Sequence, residues 1–129
     1  MDPAGPHEQV AIGLNEKSKQ DGVPKAKVKN FKPRPCEGGR LELSSFCIDE
    51  LQDPSIWELL DKHLNKPAIG RSDLGLEGVS GVGLQADPDW NPERHVNLLG
   101  WPPEEEHQTA IAQKLYGIQS YSKRPARVE

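Results

Sequence analysis

Two serines, a cysteine and a histidine have the residue types for covalent catalysis. Ser44, Ser45 and Cys47 stand together in a strand-like segment, and His95 begins another. A nucleophile beside a histidine base is the arrangement used in acyl transfer. The chain has no G-x-S-x-G elbow and no local Cys–His signature. Solvent-facing serines and a core cysteine explain the pattern more simply, and nucleophilic catalysis is kept as an alternative.

A binding constellation is suggested by Arg40, Arg71, His95, Asn97 and Trp101, each at the boundary of an expected element. Element ends are where scaffolds most often present binding groups. Arginine offers bidentate donors to carboxylate or phosphate, positions 95 and 97 share a strand face, and tryptophan can stack on a base. The structural alternative is that the arginines pair with acids, the histidine bonds a loop and the tryptophan packs under a helix.

The sequence predicts neither a metal site nor a bound cofactor. Structural zinc sites use closely spaced ligand pairs, whereas Cys36 and Cys47 have no such neighbours and His63 lies at the edge of a helical stripe. Residues 81–86 (GVGLQA) have the spacing of a dinucleotide fingerprint. Because Asp-Pro-Asp follows at 87–89, no helix can begin where a pyrophosphate would bind, and we expect loop glycines there.

Two helices are predicted by apolar spacing and end signals. Asp53-Pro54 opens the first, with Asp53 as its cap, and Pro67 ends it. The second begins at Pro103, has glutamates in its first turn and stops near Gly117. Trp57 lies at the edge of the first helix's apolar stripe, and Ile111 belongs to the apolar side of the second.

Strands are expected over residues 41–46, 84–86 and 95–101, and Phe31 is expected to pair with the first across the Gly-Gly turn at 38–39. Residues 70–86 fit either a glycine-rich loop with one helical turn or a short helix capped at Ser72-Asp73. We predict an α+β domain with a short, mainly antiparallel sheet and two packed helices, lying over strands that include Leu43 and Val96.

Charge and composition divide the 129 residues into three parts. Residues 1–35 carry seven basic and four acidic groups, whereas residues 36–129 carry nine and sixteen, so the net charges are +3 and −7. The first segment has few apolar residues to offset its ordering entropy. We predict a flexible basic extension over 1–26, a compact domain over 27–121 and a flexible tail over 122–129.

The basic stripe Lys25-Ala26-Lys27-Val28-Lys29 fits either phosphate contacts or a lysine-protected strand edge. Because the acidic body would repel a phosphate backbone, we expect no nucleic-acid partner. The apolar runs are too short for a membrane span, and the first residues lack a secretory signal. We expect a cytoplasmic protein without membrane contact.

From Val28 onward the sequence resembles a family of small bacterial proteins of uncharacterised function. The matching segments are Phe31-Lys32-Pro33, Leu43-Ser44-Ser45-Phe46, Ile56-Trp57-Glu58-Leu59, Gly70-Arg71-Ser72-Asp73-Leu74, Asn91-Pro92 and His95-Val96-Asn97-Leu98-Leu99-Gly100-Trp101-Pro102. The resemblance implies a bacterial cytoplasmic origin and one domain, and it implies nothing about mechanism.

Two functions follow as hypotheses. The first is an accessory or binding module acting through a protein partner, a basic one by charge complementarity, with some of the three tryptophans as anchors. It requires an exposed apolar patch. The second is a small-nucleotide or phosphoester-binding or transferase domain using Arg40, Arg71 and His95. It requires these three side chains in one concave pocket.

Overall fold

The fold is an antiparallel sheet with helices on both faces, and the computed structural model describes it over residues 7–15, 19–20, 23–64 and 67–125. The strands are β1 (Gln9–Leu14), β2 (Lys19–Gln20), β3 (Val23–Pro24), β4 (Arg34–Pro35), β5 (Leu41–Cys47), β6 (Gly70–Gly75), β7 (Gln85–Asp87), β8 (His95–Leu99) and β9 (Ser120–Lys123). The helices are α1 (Asp53–His63), α2 (Leu76–Gly81) and α3 (Glu105–Ile118), and 3-10 turns cover Val28–Phe31 and Glu37–Gly39.

The main sheet has the strand order β7-β8-β5-β1-β6-β9, with β4 beside the start of β5, and β2 pairs with β3. Every pairing among the described strands is antiparallel. The predicted class, a small α+β domain with a mainly antiparallel sheet, is confirmed. Within the described residues no helix is both long and apolar enough to cross a bilayer.

Strand β1 lies in the middle of this sheet, between β5 and β6. Alternate residues of a strand share a face, and Val10, Ile12 and Leu14 are all buried on one side of it. The predicted flexible extension over 1–26 is therefore wrong for residues 9–14. Pairing with two neighbouring strands stabilises a short apolar strand even where the surrounding sequence is rich in lysine and has few other apolar residues.

The predicted C-terminal tail is also partly ordered. Strand β9 pairs with β6 through residue 123, and the Arg124 amide donates to the Ile69 carbonyl at 2.9 Å. The boundary predicted at 122 is therefore wrong by a few residues, because edge pairing orders a polar segment. Residues 1–6, 16–18, 21–22 and 126–129 of the predicted flexible ends lie outside the described residues.

Two apolar clusters cover opposite faces of the sheet. One joins β-strand residues such as Leu43 and Val96 to α3, with Ile111 packed against it. The other joins Ala11 and Phe46 to α1 and includes Trp57. The two predicted helices are thus present, but they do not share one face, because β5 alternates large apolar residues toward both sides.

The first half of the chain follows the predicted local signals with two differences. The Gly-Gly turn joins β4 to β5, with φ of 78° at Gly38 and 79° at Gly39, whereas Phe31 lies in a 3-10 turn. Helix α1 begins at Asp53, but the residue at its N-cap position is Gln52, whose side chain makes no capping hydrogen bond. The predicted cap at Asp53 is therefore wrong, and the Asp53 carboxylate accepts a hydrogen bond from Arg71 Nη2.

Residues 70–75 form a second strand that the sequence patterns do not predict. The segment GRSDLG is rich in poor strand formers, yet all six residues pair with β1. Ser72-Asp73 therefore caps no helix, and α2 is a short helix after the strand. Helix α2 ends at Gly81, the first glycine of the dinucleotide-like spacing, so no helix begins at a phosphate position there.

Candidate functional site

One histidine on β8 has an acid on one ring nitrogen and a serine on the other. His95 Nδ1 is 2.8 Å from Asp89 Oδ1, and His95 Nε2 is 3.1 Å from Ser44 Oγ. The neutral tautomer with its proton on Nδ1 fits both contacts, since it donates to the carboxylate and accepts from the hydroxyl. His95 is buried and Ser44 is exposed. The three residues have the connectivity of a serine–histidine–aspartate triad.

Sheet register brings these side chains together. Ser44 pairs with Asn97 and Phe46 with His95, so all four point to the same face, and the histidine reaches the serine diagonally. Asp89 comes from the loop between β7 and β8. The Asn97 Nδ2 donates to Asp89 Oδ2 at 3.2 Å, and the Phe46 ring centroid is 5.4 Å from that of His95. The carboxylate and the ring are thereby held in place.

The backbone of Ser44 faces a break in the sheet. On one side of β5, strand β1 pairs with Phe46 and Cys47, and β4 pairs with Leu41 and Glu42. Ser44 lies between these two paired stretches. The Cys47 amide donates to the Arg94 carbonyl at 2.8 Å, on the β8 side. Because backbone groups alternate between the two neighbours along an antiparallel strand, the Ser44 N–H points the other way, into the break.

This break opens into a crevice of about 720 Å³. Ser44, His95 and His63 line it together with three cationic residues of the preceding segment, Lys29, Lys32 and Arg34. The His63 ring is stacked on Phe46 with centroids 4.6 Å apart. Burial lowers the pKa of His63 below its ordinary value, which favours the neutral ring at pH 7.

Arg40 lies beside the crevice without lining it. Its Nε donates to Glu42 Oε1 at 2.7 Å, and its own side chain is 56% exposed. This hydrogen bond lowers the pKa of Glu42, and hydrogen bonding to Glu42 raises the pKa of the Cys36 thiol. Arg40 therefore neutralises a carboxylate at the crevice wall.

Arg71 belongs to a separate network at the start of α1. Its Nη2 is 3.2 Å from Asp53 Oδ1, its Nε is 3.2 Å from Asp73 Oδ1, and its guanidinium lies 5.2 Å from the Trp57 ring centroid. The Asp73 contact has ion-pair distance but not hydrogen-bond alignment, and burial raises the pKa of Asp73. Two strands separate β6 from β8, which places Arg71 about 14 Å or more from His95.

Trp101 lies on the α3 side of the sheet, away from His95. It is 9% exposed, and its Nε1 donates to the Leu98 carbonyl at 2.9 Å. Of the five predicted residues, the structure brings only His95 and Asn97 together. Sequence reasoning missed Asp89, because nothing in the spacing of Asp89 and His95 shows that the loop folds back onto the ring.

The two sequence hypotheses each required a surface feature. Of the large hydrophobic residues that the structure describes, Ile118 alone is exposed, at 47%, and both Trp57 and Trp101 are buried. Trp90, the third tryptophan, is half-buried, so none of the three tryptophans is exposed as Ile118 is. Of Arg40, Arg71 and His95, only His95 lines the crevice.

The fold and the site together define a small α+β protein with a serine–histidine–aspartate constellation beside an open crevice. Comparison of the chain with protein-family models, curated proteins and solved structures finds no match. The resemblance to small bacterial proteins stays a prediction, and function has to be argued from the site.

Proposed function

We propose that the protein is a serine-dependent hydrolase of small carboxylic esters. The observation that carries the proposal is the continuous hydrogen-bonded chain from an exposed Ser44 through His95 to Asp89. A lone histidine on a strand face is common. A nucleophile, a base and an orienting acid that are linked by hydrogen bonds meet the geometric requirement for covalent catalysis.

In the reaction, Ser44 Oγ attacks the ester carbonyl carbon while His95 Nε2 takes the hydroxyl proton. Asp89 holds the ring and stabilises the imidazolium that forms. The tetrahedral intermediate collapses to an acyl-serine, and the alcohol leaves with the proton from His95. Water then loses a proton to the same nitrogen and attacks the acyl carbon. The acyl–Oγ bond breaks as His95 returns that proton to Ser44, which releases the carboxylic acid.

The Ser44 N–H supports this assignment because it points into the crevice where the developing oxyanion would lie. Donors aimed at that charge contribute a large part of catalysis in acyl transfer, and the nucleophile's own amide is one such donor in serine proteases. One residue thus supplies both the attacking oxygen and a stabilising hydrogen bond.

The crevice favours an acyl group that carries a negative charge. Lys29, Lys32 and Arg34 line it, and the carboxylate that pairs with Lys32, from Glu105, is 84% exposed and 3.6 Å away. A pair that exposed contributes little, so Lys32 can exchange it for a substrate anion. The phosphoester hypothesis from the sequence also uses His95 and also expects an anionic ligand. It differs in the reaction, which would take place at phosphorus rather than at a carbonyl carbon.

The test compares hydrolysis of p-nitrophenyl esters with a succinyl and with an acetyl group. We expect faster hydrolysis of the anionic ester, and a loss in kcat/KM of about 10³-fold or more in Ser44→Ala. Ser80→Ala, at another exposed serine, is the matched control. A fluorophosphonate should add to the wild type and to the control, and not to Ser44→Ala, as read by intact mass.

Equal hydrolysis and labelling in Ser44→Ala and the wild type would refute the proposal. Turnover of bis-p-nitrophenyl phosphate without turnover of either carboxylic ester would reject the acyl class. A protein partner of basic character, a bacterial origin and a cytoplasmic location remain proposals that rest on the sequence resemblance and the acidic charge.

A further inference from the structure

Three potential metal ligands lie close together where the end of β5 meets the residues that precede β1. The Cys47 Sγ is 3.8 Å from His7 Nδ1 and 3.5 Å from Asp49 Oδ2. One ligand atom from each residue lies within 4.8 Å of the others. Imidazole nitrogen, thiolate sulfur and carboxylate oxygen are the donor types that bind zinc.

Two of the three donor separations are close to those of a tetrahedral site, and the third, between His7 and Asp49, is no more than 4.8 Å. Zinc–sulfur bonds of about 2.3 Å and zinc–nitrogen or zinc–oxygen bonds of about 2.0–2.1 Å, at a tetrahedral angle, place donors about 3.5 Å apart. Cys47 already has both neighbours near this distance. A cation could therefore contact all three donors after small side-chain rotations.

The carboxylate of the cluster is held by the backbone. Asp49 Oδ2 accepts from the Glu8 amide at 2.8 Å, and Oδ1 accepts from the Gln9 amide at 3.0 Å. The Arg94 guanidinium donates to the carbonyls of Cys47 at 3.1 Å and Asp49 at 3.0 Å. Such outer contacts orient ligands in metal sites.

The imidazole is positioned from the other side. The His7 ring stacks on Trp90 with centroids 5.0 Å apart and an interplanar angle of 26°. Its Nδ1 lies 3.8 Å from Cys47 Sγ. Each donor is thus held in a different way. His7 is held by the Trp90 ring, Cys47 by its place at the end of β5, and Asp49 by two backbone amides.

We propose that His7 Nδ1, Cys47 Sγ and Asp49 Oδ2 bind a zinc ion. On binding, the Cys47 thiol releases its proton to solvent, so the ion is held by a thiolate, a carboxylate and a neutral imidazole. These three donors leave a tetrahedral ion one further position, which water can occupy. The site is separate from Ser44, and the proposal is independent of ester hydrolysis.

The test uses the full chain after treatment with a chelator and removal of that chelator. Zinc is titrated against a chromophoric competitor, and cobalt(II) is added to a second sample for absorption spectroscopy. We expect one zinc per chain and a thiolate-to-cobalt charge-transfer band. Because loss of an outer contact costs about 10–100-fold in metal affinity, His7→Gln should weaken zinc binding by about 100-fold or more.

Controls separate the site from general binding by cysteine and histidine. Cys36→Ser and His107→Gln change exposed residues outside the cluster and should leave affinity unchanged. Cys47→Ser should abolish the cobalt–thiolate band, whereas Cys36→Ser should retain it. His7 is only partly buried, so His7→Gln keeps the test decisive if Cys47→Ser fails to fold.

Wild-type affinity in His7→Gln, or a cobalt band lost in Cys36→Ser and kept in Cys47→Ser, would overturn the proposal. So would the absence of a stoichiometric zinc equivalent in the folded wild-type chain.

Discussion

The central position of β1 makes Ile12 a decisive site for testing the fold. Ile12 is 8% exposed in the cluster on the α3 face. Ile12→Ala removes three carbon atoms, which is worth about 2.4 kcal/mol at about 0.8 kcal/mol per buried methylene. With the cavity that remains, the free energy of unfolding should fall by about 3–4 kcal/mol.

Urea denaturation followed by tryptophan fluorescence measures this loss. With a slope of about 2 kcal/mol per molar urea, the midpoint should drop by about 1.5–2 M. Ile118→Ala is the matched control because the same atoms are removed from a side chain that is 47% exposed. It should cost about 1 kcal/mol or less.

A flexible N-terminal extension predicts a different result. If residues 9–14 were outside the folded unit, Ile12→Ala would change stability by less than about 0.5 kcal/mol. An effect of that size, or one no larger than that of Ile118→Ala, would refute the sheet order described above.

Two further predictions concern strand β6. Burial raises the pKa of Asp73, so its contribution to stability is complete below the unfolded value of about 3.9 and is lost as pH rises through the folded value. The free energy of unfolding of the wild type, measured by urea titration relative to that of Asp73→Asn, should therefore decrease between about pH 3.5 and 7. An increase over this range would contradict the prediction. A Cβ at Gly70 would lie 2.7 Å from the Tyr121 ring, so Gly70→Ala should cost about 1–3 kcal/mol. A double-mutant cycle should show a smaller cost in Tyr121→Ala, and equal costs would disprove the clash.

Elements with strong local signals could be predicted from the sequence. Pro54 opens α1 and Gly38-Gly39 turns the chain into β5, and both signals act within a few residues. Residues 9–14 and 70–75 could not be predicted in this way. Each becomes a strand through pairing with the other, over all six positions, and neither has a compositional signal strong enough to reveal a partner about 60 residues away in sequence.

The candidate sites were predictable in parts. His95 and Asn97 share a face because strand residues two apart always do, and the sequence identified both. Asp89 reaches His95 by a loop conformation, and His7 reaches Cys47 only because β1 pairs with β5. Spacing along the chain indicates neither contact, so the cysteine pattern alone does not predict the proposed zinc site.

The loop between β7 and β8 connects the two sites physically. Asp89 bonds His95, and the next residue, Trp90, stacks on His7. Trp90 and Arg94 have φ of 56° and 67°, in a region that costs non-glycine residues about 1 kcal/mol or more. Such backbone persists only where its surroundings over-determine it. Here the surroundings are the hydrogen bond from the Trp90 amide to the His95 carbonyl and the Arg94 contacts to the β5 end. The contacts that stabilise this strained backbone therefore involve His95, which bonds Asp89, and the segment Cys47 to Asp49, which carries two of the proposed metal ligands.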